Sequence, residues 1–201
     1  MTDPLEALLA HTAGSRRMRS GVHTSVGRIA LRDARASDAV EVHALLLGVL
    51  EEGLGFVATP EELGADPATS RRALEAVASG DGVAVVAVLG GRVVGYAIAR
   101  PSGPARLAHD AHLEIVLAPA SRGMGLGGAL LDALVDRARQ SASVLRLSLA
   151  VFADNERAVA LYRSRGFREE GRRKGSICES DGTLRDDLLM VLWVGPPGDE
   201  P

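Results

Sequence analysis

The chain has 201 residues, 46% of them hydrophobic and 24% charged, with a net charge of −3. That is ordinary for one globular domain large enough to bury a core, and the acidic balance argues against a nucleic-acid-binding role dominated by phosphate contacts. One cysteine, Cys178, excludes an internal disulfide and any multi-cysteine metal site, while no apolar run approaches the ~20 residues that span a bilayer.

Residues 1–25 read as an N-terminal extension, disordered or docked on a partner or on the domain. Leu5, Leu8 and Leu9 form an amphipathic turn or two; Gly14 to Gly21 breaks the pattern and carries Arg16, Arg17 and Arg19, read as a solvated cluster. Asp3 and Glu6 flank too short an apolar stretch for a signal peptide, so a cytoplasmic protein is expected. The domain proper covers 26–195, with 196–201 as a C-terminal tail. Arg28 to Arg32 reads as its first strand. Ser37 or Asp38 can cap a helix from Ala39 to about Glu51, with Val42, Leu45, Leu46 and Val49 on one face. A second helical stretch runs from about Pro60 to Ser79, interrupted near Gly64 to Pro67. Gly82 to Leu89 and Arg92 to Arg100 flank Gly90-Gly91, a two-residue hairpin signal.

Pro101 to Asp110 is a loop, and His112 to Ala118 is the next strand. Ala129 to Arg139 is helical, with Ala129, Leu130, Ala133, Leu134 and Ala138 as its buried stripe. Val144 to Phe152 is a further strand. Asp154 or Asn155 caps a helix through Arg165, and Gly166 suits its C-terminal end. Arg185 to Val194 is the final strand, paired with one spanning about Arg168 to Arg173. A strand, two helices and a hairpin followed by βαβ-like units mean an α/β fold with a mixed sheet. His11, His23, His43 and His109 show no ligand spacing, so no metal is expected.

The most informative segment is Pro119 to Ala129, where Gly123, Gly125, Gly127 and Gly128 lie between a strand and a helix. Unpaired N–H groups at a helix start, with the dipole behind them, form an anion site. Glycine lets the backbone approach a ligand, and Arg122 adds a planar cation suited to phosphate. A phosphorylated cofactor is the expected ligand. Gly123 to Gly128 also spells G-x-G-x-x-G, the dinucleotide fingerprint, and Asp154 follows as a candidate ribose-binding acid. Against that reading, Pro119 to Arg122 intervene after the strand, and the loop lies past the chain's midpoint.

The order of elements and three motifs resemble the GNAT superfamily of acetyl-CoA-dependent N-acetyltransferases. Arg122-Gly-Met-Gly-Leu-Gly127 matches the R/Q-x-x-G-x-G/A pyrophosphate loop, with Leu117-Ala-Pro119 where members often show Val-x-Pro. Asn155 to Phe167 matches N-x-x-A-x-x-L-Y-x-x-x-G-F, and Asp187-Leu-Leu-Met190 is similar to the family's closing strand. The resemblance covers about Gly27 to Val194. It implies a mixed, mostly antiparallel central sheet of about seven strands flanked by about four helices and splayed at the cofactor site. A bulge in the strand holding Ile115 would open that splay.

What the resemblance further implies is acetyl transfer from acetyl-CoA to a primary amine by direct attack. The pyrophosphate would rest on the backbone of Arg122, Gly123, Met124, Gly125, Leu126 and Gly127. The pantetheine arm would pair with Ile115, Val116 and Leu117, and an N–H near Leu117 would polarise the thioester carbonyl. Asn155 would hydrogen-bond the cofactor, cap its own helix, or do both. Tyr162 stands where members carry the acid that reprotonates the thiolate, a transfer of modest cost from a phenol of pKa near ~10 to a thiol near ~8.5. Glu114 is the candidate general base, with His112 on the same face of its strand; a buried carboxylate there would have a raised pKa. The acceptor is a small cationic amine or a protein or peptide amine. Glu51, Glu52, Glu61, Glu62 and Asp66 either steer a cationic amine or are a solvated helix face. No nucleic-acid or membrane partner is expected, and a homodimer is left open. The alternatives are a non-catalytic acetyl-CoA-binding sensor or regulatory module and, further off, an NAD(P)-binding protein.

Overall fold

The structure is a computed structural model that describes residues 21–24, 27–53, 55–80, 82–101 and 103–196. The expected turn at Leu5 to Leu9, the Arg16, Arg17, Arg19 cluster and most of the C-terminal tail lie outside the described residues.

Among the described residues eight strands form one sheet: β1 (Gly21–Thr24), β2 (Gly27–Asp33), β3 (Val83–Leu89), β4 (Arg92–Pro101), β5 (Asp110–Leu117), β6 (Arg146–Phe152), β7 (Arg168–Cys178) and β8 (Leu184–Trp193). Their order is β1-β2-β3-β4-β5-β6-β8-β7, and β5–β6 is the single parallel pair among neighbours that are otherwise antiparallel. The mixed, mostly antiparallel sheet is as expected. The strand beyond the expected seven is β1, which pairs along β2 from within the segment read as an extension. The helices are α1 (Ala39–Leu50), α2 (Pro60–Leu63), α3 (Ala68–Ala78), α4 (Leu126–Gln140) and α5 (Glu156–Arg163). The extra helix is α2, one side of the break foreseen at Gly64 to Pro67.

The near-continuous apolar run of β3 has a simple cause: both faces of the sheet are covered. Val83, Val85 and Ala87 join the core under α4 and α5, together with Ala97, Ala99, Leu113, Leu130, Leu134 and Leu147. Ala84 and Val86 join Tyr96, Ile98 and Val116 in a second core under α1 and α3, sealed by Val42, Val49 and Leu74. Gly90 and Gly91 both take positive φ, as a tight hairpin between β3 and β4 requires. Asp38 occupies the N-cap position of α1, but its carboxylate accepts from the Arg32 guanidinium at 2.7 and 2.8 Å and from the Arg35 N–H at 2.8 Å. It therefore ties β2 to the helix start rather than capping helix N–H groups. Among the described residues no helix is long and apolar enough to cross a membrane.

Candidate active site

The sheet forks in its middle. β5 is eight residues long, yet it pairs with β6 only at Asp110, Ala111 and His112. Beyond that point β6 goes on pairing with β8, while β5 stays with β4 through Leu117. The splay is present, but not by the expected route. The β4–β5 register runs unbroken from Gly95–Leu117 to Pro101–Ala111, so β5 has no bulge there.

Backbone alternation says which groups face the fork. Ala118 donates to the Val94 carbonyl at 3.0 Å, so Val116, Glu114 and His112 direct their N–H and C=O groups toward β4. The odd-numbered residues face the other way, as the His109 carbonyl does in accepting from Leu145 at 2.9 Å and Arg146 at 3.0 Å. Ile115 and Leu117 thus present their backbone groups to the gap. Val116 does not: its backbone pairs with Tyr96 and its side chain is buried in the core under α1, which corrects its expected pairing with a ligand.

The glycine turn closes the mouth of this fork. Gly123 (φ 80°) and Gly125 (φ 75°) are left-handed, and Gly125 is the N-cap of α4 with no side chain capping the first N–H groups. A Cβ on Gly127 would sit 3.3 Å from Leu117 and 3.4 Å from Leu161, so glycine lets the helix start press against the end of β5 and against α5. The G-x-G-x-x-G spelling here joins β5 to α4 in the parallel unit β5–α4–β6, but that unit lies in the middle of an otherwise antiparallel sheet rather than opening a parallel, doubly wound one as a dinucleotide site would.

Arg122 is oriented differently from the expectation. Its guanidinium holds Glu52 in a two-point pair at 2.5 and 2.9 Å and donates to the Leu117 carbonyl at 3.2 and 3.1 Å. The planar fork is occupied by protein groups, which leaves the backbone as the contribution of Arg122 to an anion site. Glu52 follows α1, so this pair joins the α1–α2 connection to the glycine turn. The same connection touches the far arm: a Cβ on Gly55 would lie 3.7 Å from Asn155 Nδ2.

Asn155 caps α5, its Oδ1 accepting from the Ala158 N–H at 3.1 Å. Tyr162 is 7% exposed and stacks obliquely on Phe167, with ring centroids 5.6 Å apart. Burial pushes its phenol up to about 12, and no described residue hydrogen-bonds the hydroxyl. Glu114 shares a face with His112 and Val116, hence with α1, but its side chain is exposed. The buried setting expected for it is absent. Tyr96, opposite Val116, is buried on this face, and burial followed by the Glu114 charge drives its phenol far above the ordinary value.

Most of the acidic wall has local employment. Glu52 pairs with Arg122, Glu62 accepts from the Thr59 N–H in a capping box, and Asp66 accepts from the Ala68 N–H. Among the described residues no group of His, Cys, Asp and Glu could hold a metal ion. One residue at the site was not singled out from the sequence. Arg157, in the first turn of α5, brings Nη2 to 3.8 Å from where a Cβ on Gly123 would stand. A cation in a helix's first turn opposes the dipole, and that is the signal that could have marked it.

The acetyltransferase (GNAT) family matches residues 56–167. The N-alpha-acetyltransferase RimI of Mycobacterium tuberculosis is 41% identical over 86 residues, which are 42% of this chain and 51% of that protein. The chain spans about half the length, or less, of the curated relatives it matches. A solved ribosomal-protein-alanine N-acetyltransferase from Brucella melitensis superposes with a TM-score of 0.71 at 31% identity, over 81% of this chain and 98% of that one. A phosphinothricin acetyltransferase from Sinorhizobium meliloti, solved with AcCoA, gives a TM-score of 0.73 at 27% identity, over 86% of this chain and 92% of that one. With the forked sheet and the glycine-capped α4 already in place, the match across more than half its length makes this chain a member of the acetyltransferase (GNAT) family.

Proposed function

We propose that the protein transfers the acetyl group of acetyl-CoA to the N-terminal α-amine of a protein or peptide. The observation that carries the donor half is the fork itself, with Ile115 and Leu117 facing the gap and the uncapped start of α4 at its mouth. These groups suit an extended, amide-bearing arm that ends in a diphosphate. The thioester supplies an activated acetyl carbon; the acceptor nitrogen bonds to it as the C–S bond breaks.

The chain's own groups then divide the work. The Leu117 N–H donates to the thioester oxygen as charge develops there. Backbone N–H groups from Gly123 to Gly127 hold the diphosphate at the α4 dipole. Tyr162 takes a changed role. With its phenol at about 12, complete proton transfer to a thiolate of ordinary pKa would run uphill by roughly 5 kcal/mol. It therefore serves as a neutral hydrogen-bond donor to the departing sulfur. Glu114 takes the proton released by the attacking nitrogen, directly or through a water.

The acceptor half is supported by the named activities of the M. tuberculosis and Brucella proteins. Chemistry favours it too. An α-amine of pKa near ~7.8 is about a quarter neutral at pH 7.4, whereas a lysine-like amine is about one part in a thousand free. An exposed carboxylate is base enough for the first. A small amino-acid amine is the second reading, favoured by the likeness to the phosphinothricin enzyme.

Release of free CoA, measured with acetyl-CoA against a panel of amines, tests both halves. Peptides with a free N-terminal alanine should turn over. The same peptides with a blocked N-terminus and an internal lysine should not. Turnover of phosphinothricin alone would replace the acceptor reading. Acetyl-CoA binding without turnover of any amine would mark a non-catalytic sensor.

A further inference from the structure

Building on the donor reading above, we propose that Arg157 is the side-chain cation for the diphosphate of acetyl-CoA, the role that the sequence suggested for Arg122. Arg122 is held by Glu52 and the Leu117 carbonyl. Arg157 is not: no ion pair or hydrogen bond joins it to another described residue, and its side chain is exposed. Its Nη2 lies 3.8 Å from the position a Cβ on Gly123 would take, so the guanidinium lies beside the first left-handed glycine of the turn.

The surroundings explain why this cation should take an anionic ligand. The stretch from Ala118 to Leu131 contains no acidic residue. The start of α4 meets Arg157 there without a side-chain cap, and its partial positive charge adds to the guanidinium. Arg157 also sits in the first turn of α5, where a cation is unfavourable unless an anion answers it. The adjacent Glu156 is exposed and forms no pair with it, and Asp132 on α4 is engaged by Arg165. A doubly charged diphosphate on the glycine turn would resolve all three terms together. A charge-assisted bond to phosphate is among the stronger hydrogen bonds, enough for a ~10-fold effect on affinity.

The experiment compares wild type, Arg157→Gln and Arg157→Lys on three donors: acetyl-CoA, its 3′-dephospho form and S-acetylpantetheine. For Arg157→Gln, KM and Kd should rise about 10-fold with acetyl-CoA and equally with the dephospho donor, while S-acetylpantetheine is unaffected. The loss should shrink as salt is added, and the lysine variant should recover part of it. The melting temperature of the free protein should hold or rise slightly, since a cation leaves a helix start. Wild-type affinity in Arg157→Gln would overturn the assignment. So would a loss confined to donors bearing the 3′-phosphate, which would place Arg157 on that group, or an equal loss with S-acetylpantetheine. Failure of wild type to bind acetyl-CoA at all would instead refute the donor reading.

Discussion

Removing the Glu52 carboxylate as Glu52→Gln tests whether the Arg122 pair is a structural tie between the α1–α2 connection and the glycine turn. The two side chains are 25% and 31% exposed, and the pair is two-pronged at 2.5 and 2.9 Å. A fully exposed pair contributes ~0.2–1 kcal/mol, and breaking a fully buried one costs ~3–5 kcal/mol. A half-buried, bidentate pair falls between, so Glu52→Gln should cost about 1–2 kcal/mol. Arg122→Gln should cost about 2–3 kcal/mol, because it also frees the Leu117 carbonyl, which accepts from Arg122 at 3.1 and 3.2 Å. Urea unfolding of both single variants and the double variant closes a cycle whose coupling should be about 1–2 kcal/mol. In thermal melts each kcal/mol should appear as ~2–4 °C for a chain of this size. Additivity within ~0.5 kcal/mol would refute the tie, and so would a larger loss for Glu52→Gln than for Arg122→Gln.

The chain's two tyrosines, Tyr96 and Tyr162, are both buried with raised phenol pKa values. Stability from keeping them neutral is complete below pH ~10 and is lost as pH climbs through their folded values. Phenolate absorbance should therefore appear only with alkaline unfolding; a non-cooperative step near pH 10 in native protein would contradict their burial. Gly125→Ala forces a left-handed residue with φ near 75° to carry a Cβ, at a cost of about 1–2 kcal/mol in urea unfolding, with weaker acetyl-CoA binding. Gly128→Ala, whose Cβ meets only the movable end of Arg165, should cost less; the reverse order would refute the geometry. Glu114→Gln should lower kcat/KM less than ~10-fold on a peptide α-amine, yet ~10² or more on any alkylamine that is accepted, with the loss growing as pH falls. Equal losses on both amines would remove Glu114 as the base.

Local features were legible before any tertiary structure. Turn chemistry at Gly90-Gly91, the left-handed glycines of the Gly123–Gly128 turn, the Asn155 cap and the alternation of β5 each depend on a few neighbouring residues. The motif in Arg122 to Gly127 and the one in Asn155 to Phe167 therefore carried the resemblance to the family and the reading of the donor half. β1 was not legible, because four residues of Gly-Val-His-Thr have too little apolar periodicity to mark an edge strand. What only the tertiary structure decided is which charges meet. Glu52 lies 70 positions from Arg122, and the two become neighbours only when α1 is laid on the sheet beside the end of β5. That single juxtaposition engages the Arg122 guanidinium with Glu52 and the Leu117 carbonyl. It leaves the Arg157 guanidinium, which pairs with no other described residue, beside Gly123. Turn, cap and strand alternation are set by local sequence and are read there; the partner of a long charged side chain is set by the packing of distant elements.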